Sequence, residues 1–391
     1  MNFAQTLFDR FMADWSGFTH DLVKSLIRVK AQTILPLIND IDLNKAQRVK
    51  LGIDPTGSDI HIGHLAPLFI LDIFARIGHH VDFIIGDFTT KIGDPSGRVA
   101  ERKILNDAEI EKNYATYKNQ VSRYFDTSRW TTRRNSEWLS KVSLADVIAI
   151  TQHRNMATIM QREDFRIRME SGGLTQAETL YGMLQGLDSV NLGTTVELGG
   201  IDQLLNIQQA RELQRIHNQS PQVIICNPLL LGTDGQKMSK SYNNYIALNE
   251  SAENKFGKLM SISDDVIEQY WKTFGYLFED ELKDLQKLIK TQPLEAKKQL
   301  ATYLVAIEHG MDAGLKQRAG FEKKFAKREL TDDDYIELKA KKGERLIDVL
   351  MRSGKFKSKS DLKRIGIDPE AIVSNGVKLR VGKLNFFHIV V

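Results

Sequence analysis

Val49-Lys50-Leu51-Gly52-Ile53-Asp54-Pro55-Thr56-Gly57-Ser58-Asp59-Ile60-His61-Ile62-Gly63-His64 is the stretch whose reading decides the fold. The apolar run Val49 to Ile53 reads as a short buried strand. Pro55 and Gly57 end it with turn chemistry. Asp59 is the expected N-cap of an apolar helix running from about Ile62 to Ile77. A strand therefore empties into a helix N-terminus, where free N–H groups and the helix dipole favour an anion. His61 and His64, three residues apart, share one face of the first turn. Gly63 between them lets a flat ligand approach the backbone. On its own the stretch also reads as a helix start carrying two solvated histidines.

Working outward, the same design recurs. Val81-Asp82-Phe83-Ile84-Ile85-Gly86-Asp87 is a second strand, followed by the Gly/Asp-rich loop from Asp87 to Arg98. Residues 104–125 read as helical, and Ser143 caps a further helix from 143 to 150. Residues 153–190 are helical again, with Tyr181, Gln185 and Asp188 at i, i+4 and i+7 on one face. Val196-Glu197-Leu198-Gly199-Gly200-Ile201-Asp202-Gln203 is a strand running into paired glycines and a helix to about Ile216. A further apolar run is Val223-Ile224-Ile225-Cys226. Strands alternating with helices predict an α/β fold with a parallel sheet covered on both faces and a ligand beyond the carboxyl ends of the strands. Asp94 reads either as a turn residue or as a carboxylate that holds an ammonium group. Residues 1–48 read as helical, with Phe8, Phe11, Met12 and Trp15 on a packing face.

Gly232-Thr233-Asp234-Gly235-Gln236-Lys237-Met238-Ser239-Lys240-Ser241 has the parts of a phosphate clamp: flexible backbone, two ammonium groups and hydroxyl donors. From about Ser251 to Arg328 the pattern is helical without strands. A polar, charged linker is expected from about 331 to 342.

Composition bounds the function. The 391 residues are 42% hydrophobic and 27% charged, with a net charge of +4, which suits a globular chain of two or three domains. No apolar run is long enough to cross a bilayer, and the N-terminus does not read as a signal peptide, so the expectation is a cytoplasmic protein with no membrane association. Cys226 is the only cysteine, which excludes internal disulfides and any Cys-based zinc site, and no metal site is expected. Residues 341–391 carry 12 Lys plus Arg against 5 Asp plus Glu. A basic tail on a slightly acidic body points to a polyanion.

His61-Ile62-Gly63-His64 and Lys237-Met238-Ser239-Lys240-Ser241, in this order, resemble the two signatures of class I aminoacyl-tRNA synthetases. With Gly52-Ile53-Asp54-Pro55-Thr56, Ile92-Gly93-Asp94-Pro95-Ser96-Gly97, the Tyr181/Gln185/Asp188 face and Gly199-Gly200-Ile201-Asp202-Gln203, nearly the whole chain resembles the bacterial tyrosyl-tRNA synthetase family. That resemblance implies a Rossmann-like catalytic domain over 1–245 with an inserted dimerisation segment at about 110–180, a helical anticodon-binding domain over 246–330, and an S4-like α+β RNA-binding domain over 343–391. It implies tyrosine activation by ATP and transfer to tRNA(Tyr) by a homodimer, with Mg2+ arriving on ATP and no tightly bound cofactor. Asp94, Tyr181, Gln185 and Gln203 would bind tyrosine, with Asp188 accepting from the phenol. Gly52, Asp54, Gly63, His64, Gly200, Asp202, Gln203, Met238, Ser239 and Ser241 would line the ATP site. Thr56, His61, Arg98, Arg102, Lys237 and Lys240 would act on the triphosphate. In the tail, Arg345, Lys355, Lys359, Lys363, Arg364 and Lys378 would meet RNA phosphates. One departure is that Lys50 and Leu51 stand where better-known members carry a second tyrosine facing the phenol. A catalytically silent, splicing-helper-like RNA-binding protein on the same scaffold is the alternative reading.

Overall fold

Six strands build the first sheet: β1 (Thr33–Leu35), β2 (Arg48–Ile53), β3 (His80–Ile85), β4 (Thr131–Arg134), β5 (Val196–Gly200) and β6 (Val223–Asn227). Their spatial order is β1-β6-β5-β2-β3-β4. Every pair is parallel except β1, which runs antiparallel to β6. The chain steps outward from β2 through β3 to β4, then returns to the other side of β2 for β5 and β6. The direction of winding therefore reverses between β2 and β5, and a crevice opens beyond their carboxyl ends. Val81, Phe83, Ile84 and Ile85 of β3 are all buried, as a parallel strand covered on both faces requires.

The structure is a computed structural model that describes every residue except 1, 59, 97–104, 154, 171–172, 241, 326–334, 357, 375 and 383–384. Two compact units divide it, Met1–Gln317 and Arg318–Val391. The first holds α1 (Phe3–Met12), α2 (His20–Lys30), α3 (Leu65–Arg76), α4 (Asp107–Val121), α5 (Ser136–Leu139), α6 (Leu144–Thr151), α7 (Met156–Met160), α8 (Glu163–Glu170), α9 (Gln176–Leu192) and α10 (Leu204–Ile216). It continues through α11 (Ala252–Ser261), α12 (Ile267–Phe274), α13 (Leu282–Thr291) and α14 (Pro293–His309), and the boundary falls within α15 (Met311–Phe325). No helix among the described residues is long and apolar enough to cross a membrane.

Helix α3 is buried at ten positions from Leu65 to Ala75, which explains why its sequence is apolar all round. Helix α9 starts with a capping box: the Thr175 hydroxyl accepts from the Glu178 N–H at 3.3 Å, and the Thr175 N–H donates back to the Glu178 carboxylate at 2.8 Å. It ends at Gly193, whose φ of 64° suits a left-handed cap. Gly182 and Gly186 let α10 lie close against α9. A methyl group at Gly186 would sit 2.7 Å from Leu213 Cδ1 and 3.0 Å from the Ala210 backbone. Gly to a larger residue normally stabilises an open helix by up to about 1 kcal/mol. Here overpacking reverses the sign: Gly186→Val should cost about 1–3 kcal/mol, read as a lowered urea midpoint. An unchanged midpoint would mean that α10 is free to move away.

Three expectations need correction. Residues 1–48 are not all helical: Thr33–Leu35 forms β1, an edge strand too short to register as a pattern. The helix beginning at Ile62 is capped by His61, whose ring accepts from the Gly63 N–H; Asp59 lies outside the described residues. The expected linker at 331–342 contains a strand, β7 (Ile336–Lys339), whose alternation is masked by its charges.

The second unit is a three-stranded sheet in the order β7-β9-β8, with β8 (Val377–Val381) antiparallel and β7 parallel to β9 (Asn385–Val390). Helices α16 (Leu346–Met351) and α17 (Lys359–Arg364) complete it. Its core contains Ile347, Leu350, Leu362, Phe387 and Ile389. Arg345, Lys355, Lys359, Lys363, Arg364 and Lys378 are all exposed. Lys359 and Arg345 share the carboxylate of Asp348, at 2.5 and 3.1 Å.

Candidate active site

The crevice is built from the two strand ends. Beyond β2, Asp54 turns back into the fold: one carboxylate oxygen accepts from Thr89 Oγ1 at 2.8 Å and the other from the Tyr181 hydroxyl at 3.0 Å. A side chain at Gly86 would collide with that carboxylate, its first carbon lying 2.0 Å from Oδ1. Burial pushes Asp54 up to about 7, because the charged form has lost its water. Asp54 thus stands as the partner that orients Tyr181, while Thr56 and Gly52 are exposed at the crevice mouth.

His61 and His64 lie with ring centroids 4.0 Å apart. The segment before them pairs through its main chain with the segment after the lysine-rich loop: Ile62 N–H donates to Ile246 O at 2.9 Å and Leu248 N–H to Ile60 O at 3.0 Å. The two motifs, far apart in sequence, are thereby joined. A methyl group at Gly57 would sit 3.3 Å from the Lys240 ammonium, and one at Gly63 would sit 3.7 Å from Met238 Sδ. Lys237 reaches across to Asp202 at 3.0 Å, and Gly200 lies where any side chain would press on Asp202. Met238 is buried, and Lys237 and Lys240 are exposed. Arg98, Arg102 and Ser241 lie outside the described residues.

The opposite wall is α9 with the Asp94 loop. Asp94 accepts from Gln203 Nε2 at 2.7 Å and from Asn206 Nδ2 at 3.2 Å. Gln185 donates through Nε2 to Glu197 at 3.0 Å, and its carbonyl oxygen Oε1 is buried with no hydrogen-bond partner among the described residues. Asp188 accepts from the Trp138 indole N–H at 2.8 Å, with Asn135 Nδ2 at 3.5 Å. Burial raises Asp188 to about 7 against the opposing pull of Lys50. One crevice thus gathers a cationic, imidazole-rich side and a carboxylate- and amide-lined side. The first suits polyphosphate, the second a molecule with an ammonium group and a hydrogen-bonding tail.

Residues 42–326 match the family model described as tRNA synthetases class I (W and Y). The chain belongs to this family. It is 36% identical over 389 residues to the tyrosine–tRNA ligase of Thermotoga maritima, spanning 93% of this chain and 96% of that one. It is also 36% identical over 371 residues to the tyrosine–tRNA ligase of Aquifex aeolicus, spanning 90% and 94%. Among solved structures, a C-terminally truncated mitochondrial tyrosyl-tRNA synthetase of Aspergillus nidulans superposes with a TM-score of 0.64 at 22% identity, covering 82% of this chain and 99% of that one. That of Archaeoglobus fulgidus, complexed with L-tyrosine, gives 0.59 at 21% identity, covering 76% and 99%. At such identities the structural match establishes the fold, a Rossmann-like class I nucleotide fold.

Three residues that hold the candidate site residues in place escape sequence reasoning. Trp138 and Asn135 reach Asp188 from a segment about fifty residues away, and no spacing rule connects them. Asn244, 2% exposed, pins the lysine loop: its Oδ1 accepts from the Ser239 N–H at 2.8 Å and its Nδ2 donates to Asp234 at 2.7 Å and to Lys237 O at 3.1 Å. An amide just after a Gly-rich loop was the available signal.

Both signature histidines of the synthetase are held neutral, burial drawing His61 down to about 2 and His64 to about 4. An unfolded histidine protonates near 6.5. Lowering the pH therefore loads protons onto the unfolded chain alone and costs the fold about 1.4 kcal/mol per pH unit per ring. The His61→Asn/His64→Asn variant lacks that penalty, so its stability relative to the parent should rise as pH falls from about 6.5 to about 4.5. Urea midpoints at several pH values check this, and parallel curves would show that the rings titrate normally.

Proposed function

We propose that this synthetase activates L-tyrosine with ATP and transfers it to tRNA(Tyr). The tyrosine carboxylate attacks the α-phosphorus, forming the tyrosyl-adenylate and expelling pyrophosphate. The terminal hydroxyl of the tRNA then attacks the acyl carbon and releases AMP. The first step needs no protein nucleophile, since the substrate brings one. Catalysis is alignment plus neutralisation of charge growing on pyrophosphate. Lys237 and Lys240, with Arg98 and Arg102, supply that neutralisation, and Thr56 and His61 meet the triphosphate. Gly52, Gly63, His64, Gly200, Asp202, Met238, Ser239 and Ser241 bound the nucleotide, and Mg2+ comes with ATP. Tyr181, Gln185 and Asp94 receive the ammonium, Gln203 orients Asp94, and Asp188 accepts from the phenol. The observation that supports this reading is the closeness of the Lys240 ammonium to the Gly57 turn, just after Asp54, which bonds the Tyr181 hydroxyl. Pyrophosphate exchange with each amino acid in turn, followed by transfer to tRNA, tests it. Exchange with tyrosine alone is expected, and exchange with no amino acid would refute it.

Two further parts belong to the proposal. A second copy of the chain covers the apolar face of the inserted segment, supported by the exposure of Leu144, Ile148, Met156, Ile167 and Met169. The helical region 246–330 and the basic tail hold the tRNA, the tail through phosphates. Lys363→Glu/Arg364→Glu should weaken tRNA charging while tyrosine-dependent exchange continues. Unchanged charging would remove the tail from RNA recognition.

A further inference from the structure

Glu197 sits beneath the tyrosine pocket, 1% exposed, at a strand position directly opposite Lys50 in the β2–β5 ladder. Four donors surround its carboxylate. Lys50 Nζ approaches Oε1 at 2.9 Å and Gln185 Nε2 approaches the same oxygen at 3.0 Å. Ser189 Oγ donates to Oε2 at 3.0 Å, and Gln222 Nε2 donates to Oε2 as well. The Lys50 ammonium, also 1% exposed, gives a second bond at 3.0 Å to the main-chain carbonyl of Gln185. None of these contacts is needed to hold nucleotide or tRNA. Three of them reach α9, through the Gln185 amide, the Gln185 carbonyl and Ser189, on the stretch of helix that carries Asp188.

A carboxylate can only accept, so the side of the Gln185 amide that faces Glu197 has to be its NH2. The carbonyl oxygen is thereby turned away, and it is this Oε1 that is buried with no partner among the described residues. A glutamine whose amide could rotate would present a donor or an acceptor equally well, and only the acceptor suits an ammonium. An unpaired buried acceptor is costly, so its orientation requires a fixed cause. Glu197 supplies it, with Lys50 as the counter-charge that makes a buried carboxylate tolerable.

We propose that Glu197 is a positioning residue for substrate selection: through the Lys50 pair it locks the Gln185 amide with its oxygen toward the amino group of tyrosine. The inference rests on the reading of Gln185 as an ammonium acceptor. It also gives Lys50 a role in amino-acid recognition, at the place where better-known members of the resembled family carry a second phenol-facing tyrosine.

The test uses the full chain and two ligands, tyrosine and 3-(4-hydroxyphenyl)propionate, which is tyrosine without its amino group. Lys50→Met/Glu197→Gln removes both charges together and leaves an amide at 197 that tolerates either orientation of Gln185. The expected result is a rise of about 10- to 100-fold in the KM for tyrosine, larger than any fall in kcat, as for one lost hydrogen bond to a charged group. Affinity for the propionate should stay close to that of the parent. In a Gln185→Met background the same pair of substitutions should add little, since the amide they orient is gone. Equal losses for the two ligands, or full additivity with Gln185→Met, would overturn the proposal and leave Gln185 as the acceptor. If Gln185→Met alone leaves the KM for tyrosine unchanged in a chain that activates tyrosine, the underlying reading of Gln185 fails, and the role of Glu197 with it.

Discussion

Lys237→Ala and Lys240→Ala should each lower the kcat of tyrosine-dependent pyrophosphate exchange by about 10²- to 10³-fold while tyrosine still binds with its usual affinity. Both ammonium groups sit on flexible stems over an exposed loop, Lys237 paired with Asp202 and Lys240 beside the Gly57 turn. Their contribution is therefore confined to charge that develops as pyrophosphate departs. An interaction made mainly in the transition state shows up in kcat rather than in KM. Lys237 pairs with Asp202 at 3.0 Å, a partner that competes with phosphate for the ammonium, so Asp202→Asn should not mimic Lys237→Ala. Equal exchange rates in parent and lysine variants would remove the clamp from the mechanism.

Asp188→Asn should collapse the preference for tyrosine over phenylalanine. Tyrosyl-tRNA synthetases reject phenylalanine by hydrogen bonding to the phenol, by about 10⁵-fold without editing. The physical source is the cost of leaving a buried acceptor unpaired when the phenol hydroxyl is missing. Asp188 is 4% exposed, so water cannot easily substitute. Asparagine keeps the shape, but its oxygen turns to the Trp138 N–H, now 2.8 Å from Asp188 Oδ1, and its NH2 then stands where the phenol needs an acceptor. Tyrosine should lose most of its advantage and phenylalanine little of its weak activity, as measured by exchange with each amino acid. A preserved ratio would mean that Asp188 does not read the phenol.

Much of this was legible in the chain itself, for identifiable reasons. The strand–turn–helix at Val49 to His64 announced itself because a parallel strand buried on both faces must be a continuous apolar run, and the helix after it is buried nearly all round. Ser143 was legible as a cap, and its hydroxyl does accept from the Asp146 N–H at 3.1 Å. Three of the strands missed, β1, β4 and β7, lie at sheet edges, and β9, central in the second sheet, was missed as well. Thr131-Thr132-Arg133-Arg134 forms β4 with two exposed residues and no apolar pattern, since an edge strand has one neighbour and less to bury. Ile336-Glu337-Leu338-Lys339 alternates as a strand should, but its charge read as linker. At the site, residues joined by local spacing were found: Tyr181 with Gln185 and Asp188, His61 with His64, Lys237 with Lys240. Trp138, Asn135 and Asn244 were not, because each is brought in by the path of the backbone rather than by any periodicity.

The reversal of winding between β2 and β5 has a consequence for how such a molecule diversifies. In the proposed assignment, side chains that read the amino acid hang mostly from a single helix, whereas those near the nucleotide come from turns beyond β2 and β5 and from the loop joined to the first of them by main-chain bonds. A lineage can therefore exchange one cargo for another by editing a few positions along that helix, with the energy-coupling half inherited intact. A shared description covering both tryptophan and tyrosine enzymes is the outcome such modularity would leave behind.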